Sequence, residues 1–118
     1  MTTPHGLTQL RDALREFAAE RDWDKFHSPK NLAMALSVEA AELLERFQWV
    51  TEEESRNLPP AELEAVRQEM ADVLNYLVRL ADKLDVNLLE VARDKIKLNA
   101  QKYPVDKSRG SAKKYSEL

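Results

Sequence analysis

The sequence predicts an all-α protein built from four helices. Only two glycines occur in 118 residues, and five prolines divide the chain into segments long enough to form helices. Within those segments apolar residues recur three and four positions apart, the spacing that places side chains on one face of a helix. No stretch alternates apolar and polar residues long enough to favour a β-strand instead.

The first two segments have clear starts and apolar faces. We expect the first helix to run from about Leu7 to Arg21, with Phe17 on its apolar face. The second begins after Ser28, a good N-cap that is followed by proline at the first helical position. Its pattern continues to about Trp49.

The remaining two helices are also delimited by proline. The third is expected from about Pro60 to Leu84, and the fourth from Asn87 to Lys102, just before Pro104. The residues that follow are polar and basic, and we interpret them as a mobile or partner-docked tail. The whole chain, 1–118, is predicted to be one domain with this tail from about residue 104.

Composition narrows the function classes. The net charge is −3, which disfavours a nucleic-acid polymer as partner, because binding to a phosphate backbone usually needs a basic face. This net charge remains compatible with binding of a mononucleotide. Cysteine is absent, which excludes disulfides and thiolate zinc sites. We see no signal peptide and no apolar run of the ~20 residues that span a bilayer, so we expect a cytoplasmic protein without a membrane partner.

Two glutamates of the second helix fall on or beside its apolar face, which includes Leu32, Leu36 and Leu43. Glu39 lies three residues after Leu36 and four before Leu43, so it occupies a core-facing position. Glu42 lies three residues further along, on the same side of the helix.

The third helix repeats this arrangement. Glu69 lies between Val66 and Val73 in the apolar stripe, and Asp72 follows three residues later. Four clustered carboxylates repel one another, and burying an uncompensated charge is costly. Divalent cations would neutralise the cluster, and an all-oxygen ligand set suits Mg²⁺ or Mn²⁺.

The acids have two other interpretations. Acid pairs often merely flank the core stripe of a solvated helix, and spacing alone does not separate that case from a metal site. A di-iron site would need Glu-x-x-His, and neither His5 nor His27 lies three residues after a glutamate. Di-iron chemistry is therefore not expected.

Aromatic and basic side chains accompany the acids. Trp23 and His27 lie between the first two helices, Trp49 follows the second, and Tyr76 is one turn beyond the acids of the third. Such rings can stack on a nucleobase, or they can simply cap a core. The fourth helix carries a line of hydrogen-bond donors on one side: Lys95, Asn99 and Lys102. These side chains either bind the oxygens of a polyphosphate or form a solvated face.

Four stretches together carry a family resemblance. The runs EFAAERDWDKFHSPKNL, EAAELLERFQW, QEMADVLNYLVRLA and KIKLNAQKYP resemble the MazG-like all-α nucleotide pyrophosphohydrolases, and most closely their dCTP pyrophosphatase branch. The match extends from about Leu7 to the C-terminal KKYSEL. E-x-x-E followed by E-x-x-D, with the aromatic motifs in order, makes the set specific, whereas E-x-x-E alone would carry almost no weight.

The resemblance implies a site and its cofactor. Mg²⁺, with Mn²⁺ as a substitute, would be bound by Glu39, Glu42, Glu69 and Asp72. The nucleoside pocket would be formed by Trp23, Asp24, Lys25, Phe26, His27, Asn31, Trp49 and Tyr76. The phosphates would meet Lys95, Asn99 and Lys102, with help from Arg109, Lys113 or Lys114 of the tail.

The resemblance also implies a reaction and an assembly. Water would attack the α-phosphorus of a nucleoside triphosphate, giving a monophosphate and pyrophosphate, with Glu39 or Glu42 as candidate base. The preferred substrates would be dCTP and modified dCTP, in house-cleaning of the nucleotide pool. The four-helix bundle would be completed by a homodimer or homotetramer, with sites near subunit interfaces.

One position departs from the family pattern. Leu14 stands where animal members carry a histidine, which leaves the base preference open. The alternatives are a pyrophosphohydrolase for dUTP or for a broad set of noncanonical triphosphates, and a non-catalytic nucleotide-binding module. A purely structural helical bundle with solvated acids is the remaining alternative.

Overall fold

All regular secondary structure is helical in the part of the chain that the computed structural model describes, residues 6–118. These are α1 (Leu7–Glu20), α2 (Pro29–Glu45), α3 (Glu52–Ser55), α4 (Pro60–Lys83), α5 (Leu88–Lys102) and α6 (Val105–Ser108), with 3₁₀ turns at Asp24–Phe26 and Tyr115–Glu117. No strand occurs in that range, so the predicted all-α class is confirmed. His5 and the N-terminal segment considered for a signal peptide lie outside the described residues.

Four of these helices are long, and they correspond to the four predicted segments. The clearest difference is the end of the second: α2 stops at Glu45, and the chain turns through hydrogen bonds such as the one from the Phe47 N–H to the Leu44 carbonyl, 2.9 Å. The expected tail is also more ordered than a loop, since it contains α6. None of the helices in residues 6–118 is long and apolar enough to cross a membrane.

The chain divides into two compact units, residues 6–86 and Asn87–Leu118. In the first unit, α1 and α2 both pack against α4. Leu32 of α2 is 1% exposed and Val66 of α4 is 6% exposed, so the two predicted apolar stripes meet. Because Glu39 and Glu69 lie on those same stripes, this packing brings acids of α2 and α4 to one another.

A left-handed residue ends α1 and reverses the chain. Asp22 has φ 53°, a conformation that aspartate tolerates better than most residues with a side chain. The Trp23 N–H donates to the Ala18 carbonyl at 2.9 Å, and the Asp22 N–H donates to the Ala19 carbonyl at 3.1 Å. This is a Schellman motif, and it returns Trp23 to the side of Phe17, with ring centroids 5.7 Å apart.

The second unit holds its own tail. Asn87 caps α5 by accepting a hydrogen bond from the Glu90 N–H at 3.1 Å. At the other end of the helix, the Tyr115 ring lies edge-on to Tyr103, with centroids 6.0 Å apart, and 5.0 Å from the Lys102 ammonium. The tail is therefore fixed on the end of α5. The predicted single domain over 1–118 stays a prediction.

Candidate active site

Three carboxylates from two helices converge in the first unit. Glu39 of α2, and Glu69 and Asp72 of α4, each offer an oxygen, and these oxygens all lie within 4.8 Å of one another. The i, i+3 spacing on α4 puts Glu69 and Asp72 on one side of that helix, and the packing of α2 on α4 supplies the third acid. We call Glu39, Glu69 and Asp72 the acidic cluster.

The described residues compensate the charge of the acidic cluster only in part. Glu39 Oε2 and Glu69 Oε2 are buried, and neither receives a hydrogen bond from any group within residues 6–118. The pKa of Glu39 is raised to about 7. Burial is the largest cause, and hydrogen bonding with Glu42 and the charge of Glu42 add to it. Burial likewise raises the pKa of Glu69, and the charge of Glu42 adds to it. Glu42 thus lies directly beside the cluster.

Only partial compensation comes from a cation of the protein. Arg46 lies 3.7 Å from Glu69 Oε1, and its side chain is 41% exposed. One solvated guanidinium does not neutralise three acids whose oxygens are this close, and ionised carboxylates in that arrangement repel strongly. Buried oxygens without donors, in an all-carboxylate set, are what a hard divalent cation takes as ligands. The residues therefore fit a metal ion.

A cleft of about 360 Å³ opens between α1 and α4, next to the acidic cluster. It is lined by Ala13, Leu14, Phe17 and Ala18 of α1, Trp23 and His27 of the connection, and Asp72, Asn75, Tyr76 and Arg79 of α4. Asp72 belongs both to this lining and to the acidic cluster. The two features are therefore parts of one continuous site.

The aromatic wall of the cleft is preformed. Phe17 and Trp23 meet edge to face with an interplanar angle of 70°, and each remains more than two-fifths exposed. The Arg21 guanidinium covers the Phe17 ring at 3.7 Å and holds it in place. Tyr76, one helical turn beyond Asp72, contributes a further ring to the lining. The wall offers aromatic faces of the kind on which a planar base stacks.

The polar end of the cleft is organised by a buried arginine. Arg79 is 5% exposed, and its Nη2 donates to Asp24 Oδ1 at 2.9 Å. Its Nε and Nη2 lie 3.3 and 3.2 Å from His27 Nδ1. Burial lowers the pKa of His27, and the charge of Arg79 lowers it further. The imidazole is therefore neutral at neutral pH.

The structure brings part of the predicted pocket together. Trp23, His27 and Tyr76 line the cleft, and Asp24 bonds to Arg79 at its end. Four other predicted pocket residues are absent from the lining: Lys25, Phe26, Asn31 and Trp49. Trp49 is 88% exposed, and the Asn31 amide is engaged in donating to a backbone carbonyl at 2.9 Å.

The predicted phosphate contacts are all in the second unit. Lys95, Asn99 and Lys102 are exposed residues of α5. The Lys102 ammonium faces the Tyr115 ring within that unit. The role of this line of donors stays a prediction.

Sequence reasoning missed two polar residues of the cleft, Asn75 and Arg79. Arg79 had a detectable signal, because it is a lone charge in the otherwise apolar run YLVRLA. Charged residues are almost never buried unless paired. A buried arginine in such a run therefore points to acidic partners from elsewhere in the chain.

Comparisons with known proteins identify the family of the chain. A family model described as the MazG-like family matches residues 34–118. The chain is 47% identical over 114 residues to dCTP pyrophosphatase 1 of Mus musculus, and the match spans 95% of this chain and 67% of that protein. It is 44% identical to dCTP pyrophosphatase 1 of Homo sapiens, with the same coverage. A crystal structure of a pyrophosphatase from Archaeoglobus fulgidus is similar with a TM-score of 0.79 and 42% identity, covering 88% of this chain and 97% of that one.

Proposed function

The chain belongs to the MazG-like family, and from this premise we propose that it is a Mg²⁺-dependent nucleoside triphosphate pyrophosphohydrolase. The family resemblance predicted from the sequence motifs is confirmed. The relatives named above as pyrophosphatases support a hydrolase of nucleotide phosphoanhydrides. Mn²⁺ is the proposed substitute ion, because the same carboxylate oxygens suit it. The cytoplasm stays the proposed compartment.

The observation that carries this proposal is the double role of Asp72. A nucleoside triphosphate has a planar base at one end and a polyanion at the other. The aromatic cleft suits the base, and the acidic cluster suits the polyanion only if cations lie between them. Asp72 joins these two halves in one site. A solvated acidic face without a ligand would not need an adjoining aromatic cleft.

The proposed reaction is attack of water on the α-phosphorus. A bond forms between the water oxygen and phosphorus, the bond to the bridging oxygen breaks, and pyrophosphate leaves with the electron pair. Glu39 or Glu42 accepts the proton of the water.

Four carboxylates would hold the proposed metal: Glu39, Glu42, Glu69 and Asp72. When bound it supplies charge neutralisation, orientation of the phosphates and a lowered pKa of water. The chain's own contributions are separate from this. Phe17 and Trp23 exclude water from one face of the base. The lysines of α5 are proposed to stabilise charge on the departing pyrophosphate.

We propose dCTP and its 5-substituted forms as preferred substrates, following the named relatives. One observation supports a second candidate, a preference for dUTP or for a broad set of triphosphates. Leu14 lines the cleft, so the position at which the sequence departs from the family pattern faces the ligand. An apolar side chain there offers no hydrogen bond to a base edge.

A substrate panel tests the reaction and the base preference together. Purified protein is incubated with each canonical dNTP and NTP, dUTP and 5-methyl-dCTP, with Mg²⁺ and with EDTA, and released pyrophosphate is measured. We expect Mg²⁺-dependent release that is strongest with dCTP or 5-methyl-dCTP. Release that is strongest with dUTP, or equal for many bases, would favour the second candidate.

Each remaining outcome of the panel has a defined meaning. The EDTA arm controls for metal-independent phosphatase contamination, and identification of the monophosphate product confirms cleavage after the α-phosphorus. If no triphosphate releases pyrophosphate, the proposed enzymatic activity is contradicted and the non-catalytic nucleotide-binding module is favoured.

We also propose that the chain is a homodimer or homotetramer, because two helices of the first unit leave apolar faces uncovered. On α2, Met34 and Val38 are 57% and 54% exposed. On α4, Leu63, Met70 and Leu74 follow one another at helical spacing and are all exposed. Exposed apolar stripes on adjacent helices are typical of a surface that another subunit covers.

A charge placed on this apolar face is expected to dissociate the assembly. Wild-type protein should sediment as a dimer or tetramer, and Met70→Glu should sediment as a smaller species because a carboxylate would be buried at the interface. Gln68→Glu adds the same charge elsewhere on α4 and should leave the sedimentation coefficient unchanged. A wild-type monomer at micromolar concentration would contradict this proposal.

A further inference from the structure

The contact between Arg79 and His27 fixes which imidazole nitrogen carries hydrogen. A guanidinium has only donors, so His27 Nδ1, at 3.2–3.3 Å from two of its nitrogens, must be the acceptor. A neutral imidazole carries one hydrogen, and with Nδ1 accepting it must sit on Nε2. The opposite tautomer would point an N–H at a buried cation.

Arg79 is held rigidly enough to impose this choice. Its Nη2 donates to Asp24 Oδ1, and its Nη1 lies 3.4 Å from Asp82 Oδ2. Each of these acids has a second cation: Lys83 lies 2.5 Å from Asp24 Oδ1, and Arg15 donates to Asp82 at 2.7 and 2.5 Å. Opposite charges alternate along this chain of contacts, so the buried guanidinium is compensated and has one favourable position.

The other side of the ring is free for a ligand. His27 lines the cleft together with Trp23 and Tyr76. Within residues 6–118 no group forms a hydrogen bond with Nε2. The Nε2–H is therefore a donor without a protein partner, on a residue beside the proposed base-stacking wall.

We propose that Arg79 is a positioning residue that locks His27 as the Nε2–H tautomer, so that His27 recognises a hydrogen-bond acceptor on the nucleobase. This rests on the proposed function, since it assigns one end of the same cleft to the base edge. The acceptor that His27 would recognise is a carbonyl oxygen or an unprotonated ring nitrogen of the base. An exocyclic amino group is refused, because Nε2–H cannot accept. Cytosine offers O2 and N3 as acceptors, whereas uracil offers O2 and O4 and has N–H at N3, so O2 is the acceptor that the two bases share.

The first test reads the tautomer directly and needs no turnover. Two-bond ¹H–¹⁵N correlations of the full chain at neutral pH report which ring nitrogen is protonated. The chain has two histidines, and a His5→Gln background leaves His27 alone in the spectrum. We expect the Nε2–H tautomer in this background, and a mixture of tautomers after Arg79→Met. The Nδ1–H form in the otherwise wild-type protein would overturn the proposal, even if Arg79→Met fails to fold.

The second test asks whether that hydrogen is used. Glutamine can place an amide N–H near the position of Nε2, whereas asparagine reaches only as far as Nδ1. We expect His27→Asn to raise KM for dCTP by about 5–50-fold, the range for a base acceptor left unsatisfied, with a much smaller change in kcat. His27→Gln should stay within about threefold of wild type, because it restores the donor.

A matched control separates this effect from a general change on α4. Arg67→Met makes the same exchange as Arg79→Met at an exposed arginine of α4 that pairs locally with Glu64, and it should leave both the tautomer and KM unchanged. In a parallel dUTP arm, a KM rise for both substrates identifies O2 as the acceptor, and a rise for dCTP alone identifies N3. An unchanged KM in His27→Asn would overturn the proposal. If wild-type protein hydrolyses nothing, the proposed function fails, while the tautomer result still stands.

Discussion

Replacing either Glu39 or Glu69 by glutamine is expected to lower kcat by about 10²–10⁴-fold while leaving the helices intact. For Glu39 the range is that of losing a group that transfers a proton in the reaction. For Glu69 we expect a loss of the same order, because the ion that lowers the pKa of the attacking water would no longer be held. Each substitution preserves side-chain volume but removes the charge that holds a divalent cation. Both residues belong to the acidic cluster, and each carries a buried oxygen without a donor. Pyrophosphate release with saturating Mg²⁺ measures the effect, and circular dichroism checks the fold.

The matched control lies on the same helix as Glu69 but on another face. Glu64 is exposed and pairs only locally among the described residues, with Gln68 at 2.8 Å and Arg67 at 3.6 Å. Glu64→Gln should therefore keep wild-type activity. Near-normal turnover in Glu39→Gln or Glu69→Gln would show that the metal assignment is wrong, and would favour a helical bundle with solvated acids.

Helical periodicity was sufficient to predict the fold class and the faces that meet. Leu32 and Val66 were placed on apolar stripes by spacing alone, and both are buried. Since Glu39 and Glu69 interrupt those same stripes, their approach followed from the same pattern. The buried face of a helix is a property that local sequence expresses directly, because the packed positions repeat every three or four residues.

The polar end of the cleft could not be predicted in this way. Its arginine, Arg79, is on α4, but two of its partners, Asp24 and His27, lie in the connection after α1. Their approach depends on the left-handed turn at Asp22, and aspartate at such a position is uncommon. Five of the predicted pocket residues lie outside the cleft lining, and their roles stay predictions. A motif indicates that a segment is involved, but not which of its side chains face the ligand.

Binding of Mg²⁺ is expected to stabilise the protein, and more so at pH 8 than at pH 6. At about 100 times its Kd an ion that binds only the folded state adds about 2.7 kcal/mol, or roughly 10 °C in Tm for a domain of this size. The pH dependence follows from Glu39, whose pKa is raised from 4.5 to about 7. Below that pKa a proton occupies the carboxyl, and the ion must displace it. Thermal scans with Mg²⁺ and with EDTA at each pH measure the difference.

The same raised pKa determines how a Glu39→Gln variant should behave without metal. Between about pH 4.5 and 7 the folded protein holds a proton on Glu39 that the unfolded chain has released, so the contribution of this group to stability falls as pH rises through that window. Above pH 7 wild-type protein bears the full repulsion of the acidic cluster, whereas glutamine carries no charge. In EDTA, Glu39→Gln should therefore be more stable than wild type by a few degrees in Tm at pH 8, and nearly equal to it at pH 5.

Comparing wild type and variant at the same pH cancels the titration of groups that lie away from the acidic cluster. Asp24 and Asp82 have lowered pKa values because of their cation partners, and they destabilise both proteins equally in acid. With Mg²⁺ the order at pH 8 should reverse, because wild type gains the ion and Glu39→Gln does not. Equal Tm values for the two proteins at pH 8, with and without Mg²⁺, would mean that the acids are solvated independently and that no ion is needed to hold them together.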